Sequence, residues 1–191
     1  MRTLSIHLNA LFHPLKKSII IKRLKAFVID YCIILVYIAL LSGTTLFISN
    51  IFRLRLEAID PVTAELIGFT TLTLPVILYF TLSENGRYAG TVGKRKVGLQ
   101  VVSNGPAKAG TGQLLLRNCI KFLPWELAHF FIYRLFYFTS INQAMPGWVL
   151  TGLIVSQTLA IIYLLCLFLH KKNRSVYELF SRTSVVQNAS Y

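Results

Sequence analysis

The sequence predicts an all-α integral membrane protein with four transmembrane helices and a short cytoplasmic β element. Hydrophobic residues make up 54% of the 191 residues, and the mean hydropathy is +0.59. Charged residues make up only 14%, against about 25% in typical soluble proteins. The apolar residues are gathered in runs long enough to cross a bilayer core of about 30 Å.

Three of these runs have the length and composition of membrane spans. They are Phe27–Ser49, Leu66–Leu82 and Trp148–Leu169, with 23, 17 and 22 residues. The first is longer than the apolar core of a signal peptide, about 7–15 residues, and no A-x-A cleavage site follows it. We therefore expect it to remain as the first span.

A fourth run, Leu114–Phe138, is apolar but carries four charged side chains and an internal proline. The charged residues are Arg117, Lys121, Glu126 and Arg134. Pro124 predicts a kink. The basic side chains near the two ends are expected to snorkel to the headgroups, Arg117 and Lys121 inward and Arg134 outward. The run either spans the membrane or lies at its interface.

Lysine and arginine counts predict the orientation. Segment 1–25 contains six, loop 83–113 five and tail 170–191 four, whereas loop 50–64 contains two and loop 139–147 none. The three basic segments are therefore expected in the cytoplasm, with both termini inside. This arrangement requires an even number of crossings and favours four spans over three spans plus an interfacial helix.

The chain is expected to form a single domain over residues 1–191, with a basic amphipathic cytoplasmic segment at residues 1–25. In that segment Leu8, Leu11, Phe12 and Leu15 recur at helical spacing, which indicates a helix on the inner leaflet rather than a loose basic tail. The net charge of +13 lies at the edges of the apolar runs. This pattern fits anionic lipid headgroups as partners and argues against nucleic acid.

No motif for catalysis or for a cofactor is visible. The glycine-rich run before Lys94 is not a phosphate-binding P-loop, because Arg95 follows the lysine where Ser or Thr is needed. There is no Ser/His/Asp or Cys/His set, and the three cysteines have no metal-ligand spacing. We therefore expect a protein that is not an enzyme and has no cofactor. Segments 97–102 and 184–186 are predicted to be short strands that pair on the cytoplasmic side.

Three stretches resemble the RDD family of small polytopic membrane proteins. They are residues 22–30 (KRLKAFVID), 90–102 (GTVGKRKVGLQVV) and 174–186 (RSVYELFSRTSVV). Arg23 and Asp30 match the arginine and the aspartate of the family's first helix. Glu178 stands where the family has its second aspartate, and Tyr177 where it commonly has histidine. The resemblance covers residues 22–186 and implies a transport protein of the bacterial inner membrane.

Arg23 and Asp30 are spaced by nearly two helical turns and share a face of the first span. The carboxylate should lie about 10 Å deeper than the guanidinium. We expect the two groups to pair directly or through one water. The pair is either a structural salt bridge or part of an ion or proton site, the usual role of an acid inside a membrane.

A second polar set lies in the third span, where Glu126, His129 and Tyr133 share one stripe. Glu-x-x-His is a ligand spacing of helix-bundle metal sites, but the ligands are too few for a metal. Glu126 and His129 are either a protonatable pair or a structural hydrogen-bonded pair. With Arg23, Asp30 and Glu178 they form the set of candidate intramembrane charges.

Two functions remain open from the sequence. The first is transport of a small ion or solute, with or without coupling to protons, through a pathway that four spans would complete as a homo-oligomer. The second is a non-catalytic scaffold, assembly factor or accessory subunit, whose basic face docks on lipid or on an acidic partner.

Overall fold

The first helix, α1 (Arg2–Ile51), joins the predicted first span to the basic segment before it without a break. The computed structural model describes residues 2–52, 59–104 and 108–188, with side chains from residue 19 onward. The side chains of residues 1–18 of the predicted amphipathic segment, and part of the loops at 50–64 and 83–113, lie outside this description. The predicted helix at the start of the chain is present as backbone.

The second long helix consists of three consecutive pieces. These are α2 (Pro61–Gly68), a π-helical turn (Phe69–Thr73) and α3 (Leu74–Asn85), together called the α2–α3 helix. Asp60 caps its start, because its carboxylate accepts two first-turn amides at 3.0 and 3.1 Å. The three pieces cover the predicted second span and extend it at both ends.

Pro75 explains a contact between the first two long helices. Proline has no N–H, so the carbonyl of Thr71, four residues earlier, lacks its helical donor. The hydroxyl of Tyr37 in α1 donates to that carbonyl instead. An unsatisfied carbonyl is costly in a membrane interior, so this bond makes the proline tolerable at that depth.

The same arrangement recurs between α5 (Thr111–Ser140) and α6 (Gly147–Leu169). Pro124 removes the helical donor to the carbonyl of Ile120, and the hydroxyl of Tyr163 in α6 donates to it at 3.2 Å. Helix α5 continues through the proline. In both cases a tyrosine from the neighbouring helix replaces the backbone donor that proline lacks.

Helix α5 lies antiparallel beside the α2–α3 helix along its whole length. Three contacts mark its two ends and its middle: Arg134 with Glu65, Glu126 with Thr73, and Asn118 with Glu84. An interfacial helix would touch its neighbour at one end only. The contacts with the α2–α3 helix are thus spread along α5 and are not confined to one end.

The fold is that of a multi-pass all-α membrane protein. Among the described residues, three helices are long and apolar enough to cross a membrane: Ile19–Ile51, Pro61–Asn85 and Gly147–Leu169. Their large hydrophobic side chains are mostly exposed, as expected for surfaces in contact with lipid. Helix α5 is longer than two of them but is less apolar, because it contains four charged residues. Their side chains face the bundle.

Two short helices and a two-stranded sheet cover one end of the bundle, here called the basic end. They are α4 (Val92–Lys96), β1 (Leu99–Ser103), α7 (Val176–Phe180) and β2 (Thr183–Gln187). The strands pair antiparallel, with Leu99 opposite Gln187, which confirms the predicted pairing. Buried apolar residues of the strands pack on Ala26 of α1 and Leu114 of α5, so the sheet is fixed to two long helices.

Candidate functional site

Asp30 joins α1 to the glycine-rich segment at the basic end. Its carboxylate is almost fully buried and accepts three hydrogen bonds. Thr91 Oγ1 donates at 2.6 Å, the Gly93 amide at 2.9 Å and the Tyr79 hydroxyl at 3.2 Å. Thr91 and Gly93 belong to the GTVGK motif, so one role of that motif is to hold the aspartate of the first helix.

The glycine at position 93 is required by close packing. A Cβ atom built there would lie 2.2 Å from the Ala26 carbonyl oxygen and 2.9 Å from the carboxyl carbon of Asp30. Real Cβ atoms do not approach backbone that closely. Any other residue would push α4 away from α1 and loosen the contacts to Asp30.

Arg23 pairs with a different partner from the one that its spacing suggested. Its guanidinium donates to Glu178 Oε2 at 2.9 Å and to the Val185 carbonyl at 3.0 Å. The predicted direct pairing of Arg23 with Asp30 is therefore wrong. The two residues share a face but differ in depth, and each forms its hydrogen bonds with segments from elsewhere in the chain.

Glu178 is fully buried in α7 and lies between two arginines. Besides Arg23, the Arg117 guanidinium contacts its Oε1 at 3.3 Å, and the Ser175 amide donates to Oε2 at 2.9 Å. Burial raises the pKa of Glu178, but the charges of Arg117 and Arg23 outweigh it and hold that pKa below its usual value. Glu178 is thus a stable anion at neutral pH.

Arg117 does not snorkel to the headgroups as predicted, because its side chain points into the protein and is 1% exposed. Its guanidinium contacts Glu178 on one side and lies 3.4 Å from Glu84 Oε2 on the other. Thr183 Oγ1 accepts a further hydrogen bond at 2.7 Å. Two carboxylates at this depth provide better solvation than the distant headgroups.

Glu84 completes the arrangement at the end of α3. Lys94 Nζ donates to its Oε1 at 2.5 Å and Asn118 Nδ2 to its Oε2 at 3.2 Å. Cations and anions therefore alternate in space, and we call these five residues the charge network: Arg23, Glu178, Arg117, Glu84 and Lys94. The network joins α1, α3, α4, α5 and α7.

Sequence reasoning missed Glu84 and Lys94 as members of a site. Glu84 follows the predicted span end, Leu82, by two residues and falls within the predicted loop 83–113. A usable signal existed, because Glu84 and Arg117 lie at the same predicted membrane boundary in two consecutive spans. Opposite charges at matching depth are a reason to expect an ion pair between adjacent antiparallel helices.

Glu126 lies halfway along α5, eight residues from Asn118 and eight from Arg134. Its Oε2 accepts from Thr73 Oγ1 at 2.5 Å, at the end of the π-helical turn. His129 does not contact it. The His129 ring instead faces Trp125, and its Nδ1 lies 3.1 Å from the carbonyl of Trp125. The predicted hydrogen bond between Glu126 and His129 is therefore wrong, whereas the predicted role of the two groups in proton transfer stays a prediction.

Lys121 lies between the charge network and Glu126. Its ammonium is 3.4 Å from the centre of the Phe80 ring and 5.0 Å from that of Phe122. The two rings meet edge to face at 5.2 Å. Lys121 thus faces aromatic rings inside the bundle rather than snorkelling by itself, and the aromatic pair separates the two polar regions.

The buried polar contacts of the basic end hold segments from different parts of the chain together. If Asp30 is counted with the charge network, three cations face three carboxylates there, and Lys121 lies beside them over the Phe80 ring that Lys94 also faces. Among the described residues, no cluster of three or more His, Cys, Asp or Glu side chains could hold a metal ion. Glu126, by contrast, has a hydroxyl but no cation as its partner within the part of the chain that the structure describes.

The comparisons with known proteins agree with the motifs. Neither the comparison with curated proteins nor that with solved structures gave a match. The model of the RDD family matches residues 18–182, a stretch that includes Arg23, Asp30, the GTVGK motif and Glu178. The chain therefore belongs to the RDD family.

Proposed function

We propose that this protein is a non-catalytic transporter that moves a small monovalent cation or a proton along the seam between the α2–α3 helix and α5. The observation that carries the proposal is the environment of Glu126. Its carboxylate lies at mid-depth, is held by the Thr73 hydroxyl, and has no described Lys, Arg or His nitrogen within 4.0 Å. An acid at that depth without a cation is a candidate to bind one.

Polar groups along the same seam support a pathway. Glu65 and Arg134 pair at 2.9 Å at the end opposite the basic end, and Asn118 and Glu84 lie at the basic end. The π-helical turn beside Glu126 supports it further, since such turns are frequent at functional sites. The aromatic pair with Lys121 lies between Glu126 and the basic end, where a gate would lie.

Flux into proteoliposomes tests this proposal. Glu126→Gln should abolish uptake of Na⁺ or K⁺, and the proton movement coupled to it, while the protein stays folded. Thr73→Val should reduce uptake, because the carboxylate loses its only hydroxyl donor among the described residues. Thr70→Val is the matched control, since that hydroxyl bonds only to carbonyls of its own helix in the described part of the chain. Equal flux in Glu126→Gln and wild type would reject the proposal.

We also propose that the basic end faces the cytoplasm of a bacterial inner membrane, with both termini inside. Support comes from the lysine and arginine asymmetry and from the family. In a variant without native cysteines, single cysteines at Asn50 and Gln143 should react with an impermeant thiol reagent from outside. A cysteine at Gly105 should not react. Labelling at Gly105 in intact cells would show that the orientation is the reverse of the proposed one.

A scaffold or accessory subunit is the second candidate. The observation that favours it is the charge network, which is closed and buried and makes the basic end a rigid platform surrounded by exposed lysines and arginines. In this case purified protein would conduct no cation or proton, whatever residue stands at position 126. A pathway completed by a second copy would instead show flux only for the oligomer.

A further inference from the structure

We propose that a groove between α1 and α4 binds one anionic phospholipid of the leaflet at the basic end. The groove has a volume of about 520 Å³, within the usual range of about 300–1,000 Å³ for ligand sites. One wall is an apolar face of α1 formed by Val28, Ile29, Cys32, Ile33 and Val36. The other wall is formed by α4, with Val92 and Lys96.

The direction of α4 puts the cation of the groove at its outer end. Gly93 packs against Ala26 and Asp30, whereas Val97 packs on the core cluster that contains Ala26. Val97 leads into β1, which pairs with β2, and the Val185 carbonyl of β2 accepts a hydrogen bond from Arg23. From Gly93, beside Asp30, the chain therefore runs toward the start of α1, away from the membrane centre. Lys96 is exposed near this outer end, and the apolar wall continues inward from it.

Two more lysines lie on the same face of α1, just beyond the apolar wall. Lys25 and Lys22 precede Ile29 by four and seven residues, so they follow the helical stripe of the groove. Lys25 is exposed and Lys22 is half-buried. None of the three lysines forms an ion pair with a described residue, unlike Lys94, which precedes Lys96 by two residues.

The position of these lysines indicates which kind of ligand fits the groove. The apolar wall from Val28 to Val36 runs about 12 Å along the helix, parallel to the direction of an acyl chain. Positive charge is present at one end only, so the complementary ligand is an amphiphile with a single anionic head. A phosphatidylglycerol-like lipid has this form. A second protein copy would bring its own lysines against these three, which is unfavourable.

Native mass spectrometry of the purified protein, titrated with phosphatidylglycerol or phosphatidylcholine, tests the site. We expect one tightly bound phosphatidylglycerol per chain and no comparable site for phosphatidylcholine. Lys96→Gln and Lys25→Gln should each weaken binding about fivefold, the effect of about 1 kcal/mol per lysine near a headgroup. Lys171→Gln, an exposed lysine outside the groove, is the control for charge.

The apolar wall has its own variant and control. Val28→Phe should fill the groove and remove the tight site, whereas Val155→Phe on the lipid-facing side of α6 should not. Their starting exposures are similar, 57% and 52%, so folding should be equally tolerant of both. Retained binding in Val28→Phe that folds as well as Val155→Phe would overturn the proposal.

Three further results would also overturn it. One is equal affinity for the two lipids. Another is displacement of the lipid by millimolar glycerol phosphate, which would assign the site to a free phosphate. The third is rapid Cys32–Cys32 crosslinking between copies in lipid-rich vesicles, which would assign the groove to a dimer. The test is independent of transport, because none of these residues lies on the seam with Glu126.

Discussion

The basic end of the bundle and its middle satisfy buried polar groups in different ways. At the basic end, charges neutralise charges, and Arg117 alone contacts two carboxylates. In the middle, the bonds are neutral or involve one charge, as with Tyr37 and Glu126. The cost of an isolated charge rises toward the centre of the membrane, so ion pairs are concentrated at its edge.

This difference predicts that substitutions in the two regions lower the free energy of unfolding by different amounts. Removing one member of a buried ion pair leaves an uncompensated charge, which costs about 3–5 kcal/mol. Removing a neutral hydrogen bond between membrane helices costs about 0.6 kcal/mol on average, and at most about 1.7. The comparison therefore fails if substitutions in the two regions have similar effects on the free energy of unfolding.

Arg117→Gln should give the largest effect. Both Glu84 and Glu178 lose a partner, and we expect a loss of about 3–5 kcal/mol in thermal or denaturant unfolding in micelles. Lys121→Gln is the control one turn along the same helix, because Lys121 faces aromatic rings and forms no ion pair with a described carboxylate. If the two variants unfold alike, the alternating ion pairs do not stabilise the basic end.

Gly93→Ala should have the next largest effect. We expect the free energy of unfolding to fall by about 1–3 kcal/mol, because the added methyl group overpacks against the Ala26 carbonyl. Gly112→Ala at the start of α5 is the matched control. Nothing described lies within 4 Å of a Cβ there, so this variant should be neutral or more stable by about 0.5–1 kcal/mol. Stability equal to wild type in Gly93→Ala would mean that α4 is not tightly fixed to Asp30.

The sequence predicted the helices well, because each is a long apolar run and long runs have few alternatives in a membrane. It also predicted the pairing of the two strands. It could not predict the partners. Helical spacing relates Arg23 to Asp30 on one helix, whereas Glu178 reaches Arg23 from 155 residues away through the tertiary fold. The true environment of Glu126 was missed for the same reason, since Thr73 comes from another helix.

The dependence of stability on pH tests the basic end by itself, because Glu178 belongs to that end of the bundle. The folded pKa of Glu178 lies below its usual 4.5, so its stabilising charge is fully present above about that pH. The stability is lost as the pH falls through the folded pKa. The midpoint of thermal unfolding should therefore drop on acidification from about pH 6 to about pH 3.

Glu178→Gln should start from a lower midpoint and lose less of it on acidification. Asp60→Asn is the control. The pKa of Asp60 is also lowered, chiefly by hydrogen bonds from Thr63, but this carboxylate is fully exposed at the start of α2. Because solvent screens this exposed carboxylate, its variant should keep more of the acid response of the wild type than Glu178→Gln does. An unchanged acid response in Glu178→Gln would assign the loss to other carboxylates.

The smallest effects should come from the two tyrosines whose hydroxyls replace the backbone donors that the prolines lack. Tyr37→Phe and Tyr163→Phe each leave one carbonyl without a donor and should cost about 0.6–1.7 kcal/mol. Tyr31→Phe is the control, because that half-exposed ring stacks on Phe27.

A double-mutant cycle gives the decisive measurement. In Pro75→Ala the backbone N–H returns and can donate to the Thr71 carbonyl, so adding Tyr37→Phe should then cost close to nothing. If Tyr37→Phe costs the same in the wild type and in the Pro75→Ala background, the hydroxyl is not compensating for the proline, and the bond is incidental to the packing of α1.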